Sequence, residues 1–518
     1  MASLPVSAGA DGVGAGAPLS VPSGSPRARR RLRILLVKPD ISSVSVGFTS
    51  LARVAPLDLL MVAASAPRDD CRILDLRLEE DAVLERTLAA FRPDVVGLTA
   101  YTAEAWAAKG LARRIRASCP EALIVWGGYH ATMAPEDALS EPAVDVLVLG
   151  EGEKTFPELM DAFARGDSWQ SIPGLAFRRD GRVVRTAPRP PIEDLDTLPM
   201  PDWSLVERHQ DRYYLNVMGV AGSVETSRGC PYDCSFCSVW VFNSRRYRTK
   251  SPDRVMAELE RLPEAVQVVA FVDDEFWVDG RRAQEIAARI RERIASDPSW
   301  KGRKWKYWAQ VRTDDVARRP ALVEHWSKAG LKVLLLGIES HKESEIRELH
   351  HKRNRLEHAL CALDEMRRCG VEAWGCFIVN PDWEESDFFE LAAFVRRLGI
   401  AFPQYTVLTP LPGTVLARQW LRQGLLKVEE WHDELLDFLH TTVRPRLPLR
   451  RFYELMAMLY STTSMGSNLQ LYKRAIRNGV ISREWLHSET GRRVKAFLAQ
   501  LTDVEAYLKV HRALGQIG

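Results

Sequence analysis

The 518-residue sequence predicts an α/β protein in three parts: a Rossmann-like doubly wound sheet, a partial (β/α)6 TIM barrel, and a mainly helical C-terminal region. Three observations carry this. Five short apolar runs alternate with helical stretches over residues 32–165, the mark of a parallel sheet covered on both faces. A second series of six such units occupies residues 211–415. Beyond Pro412 the strand pattern stops and helical spacing takes over to the end.

Residues 1–31 are rich in Ala, Gly, Ser and Pro and end in an Arg cluster. The stretch lacks an apolar core long enough for a secretory signal, so a solvated, disordered tail is expected. The first-domain strands are expected at 32–37, 72–74, 95–98, 123–126 and 144–149, with a helix at 104–116 between the third and fourth. Short loops follow them: Thr99–Thr102, Gly127–His130 and Gly150–Glu153. Ligands of doubly wound sheets bind at these carboxyl ends. Residues 166–210 are expected to hold a hairpin, turning at Asp180-Gly181, and then a proline-rich linker. The barrel strands are expected at 223–226, 268–272, 305–311, 332–338, 371–379 and 405–408.

Composition excludes several classes. Lys and Arg total 71 against 68 Asp and Glu, a net charge of +3, which is too weak for a nucleic-acid partner. No apolar run reaches the roughly 18 residues of a membrane span; peripheral membrane contact stays open. Eight cysteines are too few for a disulfide scaffold in a chain this long. Cys71, Cys119, Cys361, Cys369 and Cys376 are scattered, whereas Cys230, Cys234 and Cys237 crowd into one loop after the first barrel strand. A reducing, cytoplasmic setting is expected, with the inner face of the membrane as the site of any peripheral contact.

The crowded loop reads TSRGCPYDCSFC over residues 226–237. Thiolates spaced C-x3-C-x2-C can hold three corners of a [4Fe–4S] cluster and leave one iron open to a chelating amine and carboxylate. A zinc site would need a fourth ligand at finger-like distance, and no His or Cys follows Cys237 until His325.

This motif, after the first strand of a six-unit barrel, resembles the radical S-adenosylmethionine superfamily. The resemblance implies that S-adenosylmethionine binds the open iron and is cleaved by one electron to methionine and a 5′-deoxyadenosyl radical. It implies a donor such as flavodoxin or ferredoxin. It also places Phe236 by the adenine, and one of Asp273, Asp274 and Glu275 at the methionine amine. Arg312 and Glu339, at the third and fourth strand ends, would lie by the methionine carboxylate and the ribose.

The first domain resembles the cobalamin-binding domain of class B radical enzymes. On that resemblance Thr99, Tyr101, Thr102, Gly127, Gly128, His130, Gly150, Glu151 and Gly152 are the expected cobalamin-binding residues, the glycines letting backbone approach a flat macrocycle. Methionine-synthase-type domains ligate cobalt through a D-x-H-x-x-G histidine. Here Asp75-Leu76-Arg77 puts Arg77 there, so cobalamin without a histidine below the cobalt is expected, with His130 lining the cleft. Cobalamin beside a radical cluster implies C-methylation of an unactivated sp3 carbon.

The finer resemblance, over residues 236–240, 247–255, 402–414 and 444–453, is to hopanoid C-3 methylases. It implies a polycyclic lipid substrate. The helical spacing after Pro448 is read as a helix packing on the barrel, with a sharper alternative in which it also caps the barrel mouth and offers an apolar wall. A methylase of antibiotic-like natural products and a tetrapyrrole cyclase or methylase share the architecture. A non-enzymatic cobalamin sensor would have no use for an intact C-x3-C-x2-C.

Overall fold

The computed structural model describes residues 28–40, 52–80, 82–215, 218–349, 354–426, 435–464 and 468–516. Most of the expected tail lies outside them. Its last residues are not a free arm: Arg29 bridges Asp69 and Asp161, each at 2.6 Å, and Arg30 pairs with Asp94 at 2.8 Å.

The first sheet contains β1 (Arg33–Lys38), β2 (Asp70–Asp75), β3 (Val95–Thr99), β4 (Leu123–Gly127), β5 (Val146–Val148), β6 (Leu175–Arg179) and β7 (Arg182–Arg185). Their spatial order is β2-β1-β3-β4-β5-β6-β7. The first five are parallel and β6 and β7 antiparallel. Strands buried on both faces read as continuous apolar runs, and β3, VVGLT, is buried throughout. The Asp180-Gly181 turn forms with both φ positive, 51° and 74°, as a two-residue hairpin of matching twist needs. The expected hairpin is part of the first sheet. Phe177 pairs with Val146, so it extends the first sheet by two strands.

The barrel contains β8 (Gly219–Val224), β9 (Val268–Phe271), β10 (Lys306–Arg312), β11 (Leu331–Glu339), β12 (Glu372–Val379) and β13 (Phe402–Val407). They pair in sequence order, all parallel. At the β8 edge the short segments Tyr214–Leu215 and Ala52–Arg53 add antiparallel, so a strand from the first domain completes the second sheet. Both sheets thereby turn their carboxyl ends toward one shared cleft.

The C-terminal region is helical, as expected. Pro448 caps the helix Leu449–Thr463, where its fixed φ and missing N–H cost nothing. Of the two readings of this helix, packing on the barrel is the one found, and the apolar wall to a ligand space is not. Phe452, Tyr453, Leu455, Met456 and Leu459 are all buried in the main core. They pack against the helices Glu385–Leu398 and Glu489–Thr502 and against β13, with Phe452 edge-on to Phe388 at 5.6 Å. Packing uses up the apolar face. Among the described residues, no helix is long and apolar enough to cross a membrane.

Candidate functional site

The three clustered cysteines sit half-buried in one loop at the carboxyl end of β8. Gly229 makes the entry turn with φ +86°, and a Cβ there would stand 2.1 Å from the Arg246 carbonyl oxygen. Leu349 and Leu416 grip the loop's middle: the Ser235 amide donates to the Leu349 carbonyl at 3.0 Å, and the Leu416 amide to the Ser235 carbonyl at 2.9 Å. Phe236 packs among Leu349, Ile378, Leu408, Leu416, Trp420 and Leu426.

Every thiol faces a donor. Backbone N–H groups of Tyr232 and of Val239 and Trp240 point at Cys230 and Cys237, and the Arg312 guanidinium lies 3.5 Å from Cys234 Sγ. Burial raises all three thiols, Cys234 to about 11 and Cys237 to about 12. Donors aimed at the sulfurs oppose that rise, and the same donors stabilise metal-bound thiolate. The loop therefore fits an iron–sulfur cluster.

The strand ends around the loop carry the remaining polar groups. Asp273, Asp274 and Glu275 separate by environment. Asp273 is fully buried and accepts from the Thr226 amide at 3.0 Å, from the Thr226 hydroxyl at 2.6 Å and from Ser227, so it braces the strand end. Asp274 accepts from the Gly229 amide at 3.0 Å and lines the cleft; burial pushes it up to about 7. Glu275 accepts from the Arg312 amide at 2.7 Å, and burial, with Asp315 nearby, raises it well above the usual range.

Arg312 lies over the Tyr232 ring at 3.8 Å and binds Asp314 at 2.8 Å. Glu339 ends β11 with φ +70°, beside a register shift. A non-glycine residue in that conformation is strained, and its side chain folds back over Gly337, where a Cβ would meet Oε1 at 2.4 Å. Burial pushes this carboxyl up to about 7, against the pull of Arg312.

The cleft between the domains has about 1640 Å³ of empty space, counting the part open to solvent. Thr99, Tyr101, Gly127, Gly128, Gly150, Glu151 and Gly152 all line it. Gly128 has φ +88° and its Cβ would strike Thr99 Oγ1 at 2.7 Å; Gly150, at φ +73°, faces open space that a side chain would fill. Small residues at two left-handed corners leave room for a flat macrocycle, so this cradle fits a corrinoid.

Three expected residues serve otherwise. His130 is fully buried, stacked on Trp126 at 5.5 Å and held by Asp137 at 2.8 Å. It turns into the domain core and does not line the cleft. Thr102 is buried in the turn Thr102–Glu104, also off the cleft lining. Glu151 lines the cleft, but Arg228 and Arg248 take its carboxylate at 2.8 Å each. Burial pushes this carboxyl up, and the two guanidiniums hold it below the usual range.

Several further residues line the cleft beyond the expected cofactor contacts. Lys38, paired with Glu104, ends β1. Asp58 accepts from the Thr99 hydroxyl at 2.8 Å. Arg77 grips Asp75 at 2.6 Å and donates to the Val54 carbonyl at 3.0 Å. Arg228, Glu225 and Phe242 come from the barrel side. The strand-end rule alone would have flagged Lys38, and Arg77 and Arg228 stand in segments already singled out; Asp58 and Phe242 join them through chain reversals no local pattern records.

Comparison with known proteins agrees with this geometry. Residues 44–160 match the B12 binding domain and residues 224–395 the radical SAM superfamily. The chain is 32% identical to an uncharacterized methyltransferase of Pyrococcus horikoshii, covering 81% of this chain and 89% of that one. It is 31% identical to the hopanoid C-3 methylase of Methylococcus capsulatus, covering 77% and 75%. The fold resembles TsrM of Kitasatospora setae, solved with tryptophan and a SAM analog (TM-score 0.65, 16% identity, 93% of this chain and 99% of that chain). It also resembles the cobalamin-dependent enzyme OxsB, solved with aqua-cobalamin and S-adenosylmethionine (TM-score 0.65, 14% identity, 94% and 80%).

Proposed function

We propose that this chain, which belongs to the cobalamin-dependent radical S-adenosylmethionine methyltransferases, methylates an unactivated sp3 carbon of a polycyclic lipid, C-3 of a hopanoid. The cofactors are a [4Fe–4S] cluster, S-adenosylmethionine and cobalamin. Bound together, cluster and S-adenosylmethionine supply a hydrogen-abstracting radical and the corrinoid supplies the methyl group.

The chain's own task is placement. Cys230, Cys234 and Cys237 hold the cluster. Arg312 and Glu339 flank Cys234 and are assigned to the methionine carboxylate and the ribose. Asp274 or Glu275 takes the methionine amine, since Asp273 is enclosed by Thr226 and Ser227. Phe236 offers its ring to the adenine. Thr99, Tyr101 and the glycines at 127, 128, 150 and 152 form the corrinoid cradle.

One observation favours an apolar substrate. The helix Val415–Arg422 buries Leu416 and Trp420 against Phe236 of the cluster loop. The same segment leaves Leu421 37% and Leu425 56% exposed, and Phe438 is 40% exposed. The helix that packs on the cluster loop thus also presents Leu421 to solvent, with Leu425 just beyond its end. Hopanoid carbons are saturated and not acidic, so polar chemistry cannot methylate them. The similarity to the Methylococcus enzyme supports the same choice.

Expression in a host that makes hopanoids without methylating them should yield 3-methylhopanoids by mass spectrometry. In vitro, with a one-electron donor such as flavodoxin or ferredoxin, each turnover should release S-adenosylhomocysteine and 5′-deoxyadenosine at about one to one. Label from methyl-deuterated S-adenosylmethionine should enter the product. Unmethylated hopanoids in a host whose enzyme carries both cofactors would overturn the lipid assignment. Deoxyadenosine without methyl transfer would move the chain toward the cyclases.

A further inference from the structure

The cluster loop touches the first domain at both of its ends. At the leading end, Arg228 lies two residues before Cys230. Its Nη1 meets Glu151 at 2.8 Å, Nη2 meets Glu153 at 2.6 Å and Nε meets Glu225 at 2.9 Å, with 12% of the side chain exposed. Glu151 and Glu153 belong to the glycine loop after β5. At the trailing end, Phe242 closes the short helix Val239–Phe242 and stacks on Tyr129, centroids 4.3 Å apart and planes 20° from parallel. Tyr129 belongs to the glycine loop after β4. The two loops that cradle the corrinoid are thus each tied to one end of the loop that holds the cluster.

We infer that Arg228 and the Tyr129–Phe242 stack form a two-point clamp that sets the position of the corrinoid cleft relative to the cluster, and so couples radical formation to methyl transfer. This rests on the reading above, and it makes Arg228 a positioning residue. A radical source and a methyl donor must face one carbon from two domains, and a displacement of about 1 Å can cost on the order of 100-fold in rate. Domains of one chain move against each other unless their interface is firm. The strand Ala52–Arg53 already joins the first domain to the second sheet, and the two contacts at opposite ends of the cluster loop fix that loop against the corrinoid cradle. The planar guanidinium suits this place because it holds three carboxylates in fixed directions, which a lysine ammonium cannot do.

The test uses the full chain loaded with cluster and cobalamin, and the variants Arg228→Lys, Glu153→Gln and Phe242→Leu. The structural readout, free of substrate, is the dipolar coupling between the reduced cluster and cob(II)alamin by pulsed paramagnetic resonance. The parent should give one narrow distribution and each variant a broadened or shifted one, at unchanged iron and corrinoid content. The kinetic readout is 5′-deoxyadenosine over S-adenosylhomocysteine, expected to rise from about one to roughly ten or more as methyl transfer loses its geometry. A ratio and a coupling that stay at parent values in Glu153→Gln and Phe242→Leu would overturn the clamp. So would parallel loss of both products with loss of bound iron or corrinoid, since that marks a merely structural role. If the parent itself releases no S-adenosylhomocysteine, the methyltransferase reading fails, while the dipolar measurement still decides the clamp.

Discussion

Replacing Gly229 with Ala should damage the cluster loop by an amount that can be worked out. Two costs combine. An alanine held at φ +86° gives up roughly 1–2 kcal/mol for the left-handed conformation. Its Cβ would also stand 2.1 Å from the Arg246 carbonyl oxygen and 3.0 Å from Asn243 Cβ. The first of these is backbone, so the two loop segments must move apart, at about 1–3 kcal/mol by analogy with overpacked cores. The sum is about 2–5 kcal/mol. Two other glycines separate the contributions. Gly181 has φ +74° with nothing within 4 Å of its Cβ, so Gly181→Ala should lose only the conformational part, about 1–2 kcal/mol. Gly110 is helical and equally uncrowded, so Gly110→Ala should gain about 0.5–1 kcal/mol. Urea unfolding of the cofactor-free chain gives the ranking from the midpoints, and iron content after anaerobic reconstitution gives the local effect. Gly229→Ala should rank last and bind less iron. If it unfolds with Gly181→Ala and takes up iron like the parent, the close approach to Arg246 does not constrain the loop.

Three further outcomes are expected. Reconstituted parent should carry about four irons with broad absorbance near 400 nm, and Ala at Cys230, Cys234 or Cys237 should abolish 5′-deoxyadenosine; activity surviving in all three variants would remove the cluster from this loop. Paramagnetic resonance of the Co(II) form should show no nitrogen splitting from a protein imidazole, because Arg77 lines the cleft and His130 is locked to Asp137; splitting that vanishes in His130→Ala would reverse this. Glu339, raised from 4.5 to about 7 by burial, holds its proton longer folded than unfolded. It therefore costs the cofactor-free fold stability as pH rises from 4.5 to 7, by about 3 kcal/mol in all. Glu339→Gln should match the parent near pH 4 and exceed it above pH 7, and a pH-independent difference would refute the assignment.

The two sheets were legible in the amino-acid order alone, because buried parallel strands must be short apolar runs between helices, and all eleven expected strands appear in order. So was the cluster loop, since C-x3-C-x2-C is local chemistry within eight residues. The glycine loops were legible for the same reason: left-handed corners at Gly128 and Gly150 need a residue without Cβ. What tertiary structure decided are matters of long sequence separation. His130 looked like a cleft residue from its loop, but one helical turn directs it at Trp126 and Asp137. Glu151 looked like a corrinoid contact until Arg228 and Arg248, brought from 77 and 97 residues away, took its carboxylate. The three consecutive acids Asp273, Asp274 and Glu275 are indistinguishable as letters. Only the loop after β9, by the way it turns among Thr226, Gly229 and Arg312, makes the first a brace, the second a wall of the cleft and the third a neighbour of Arg312.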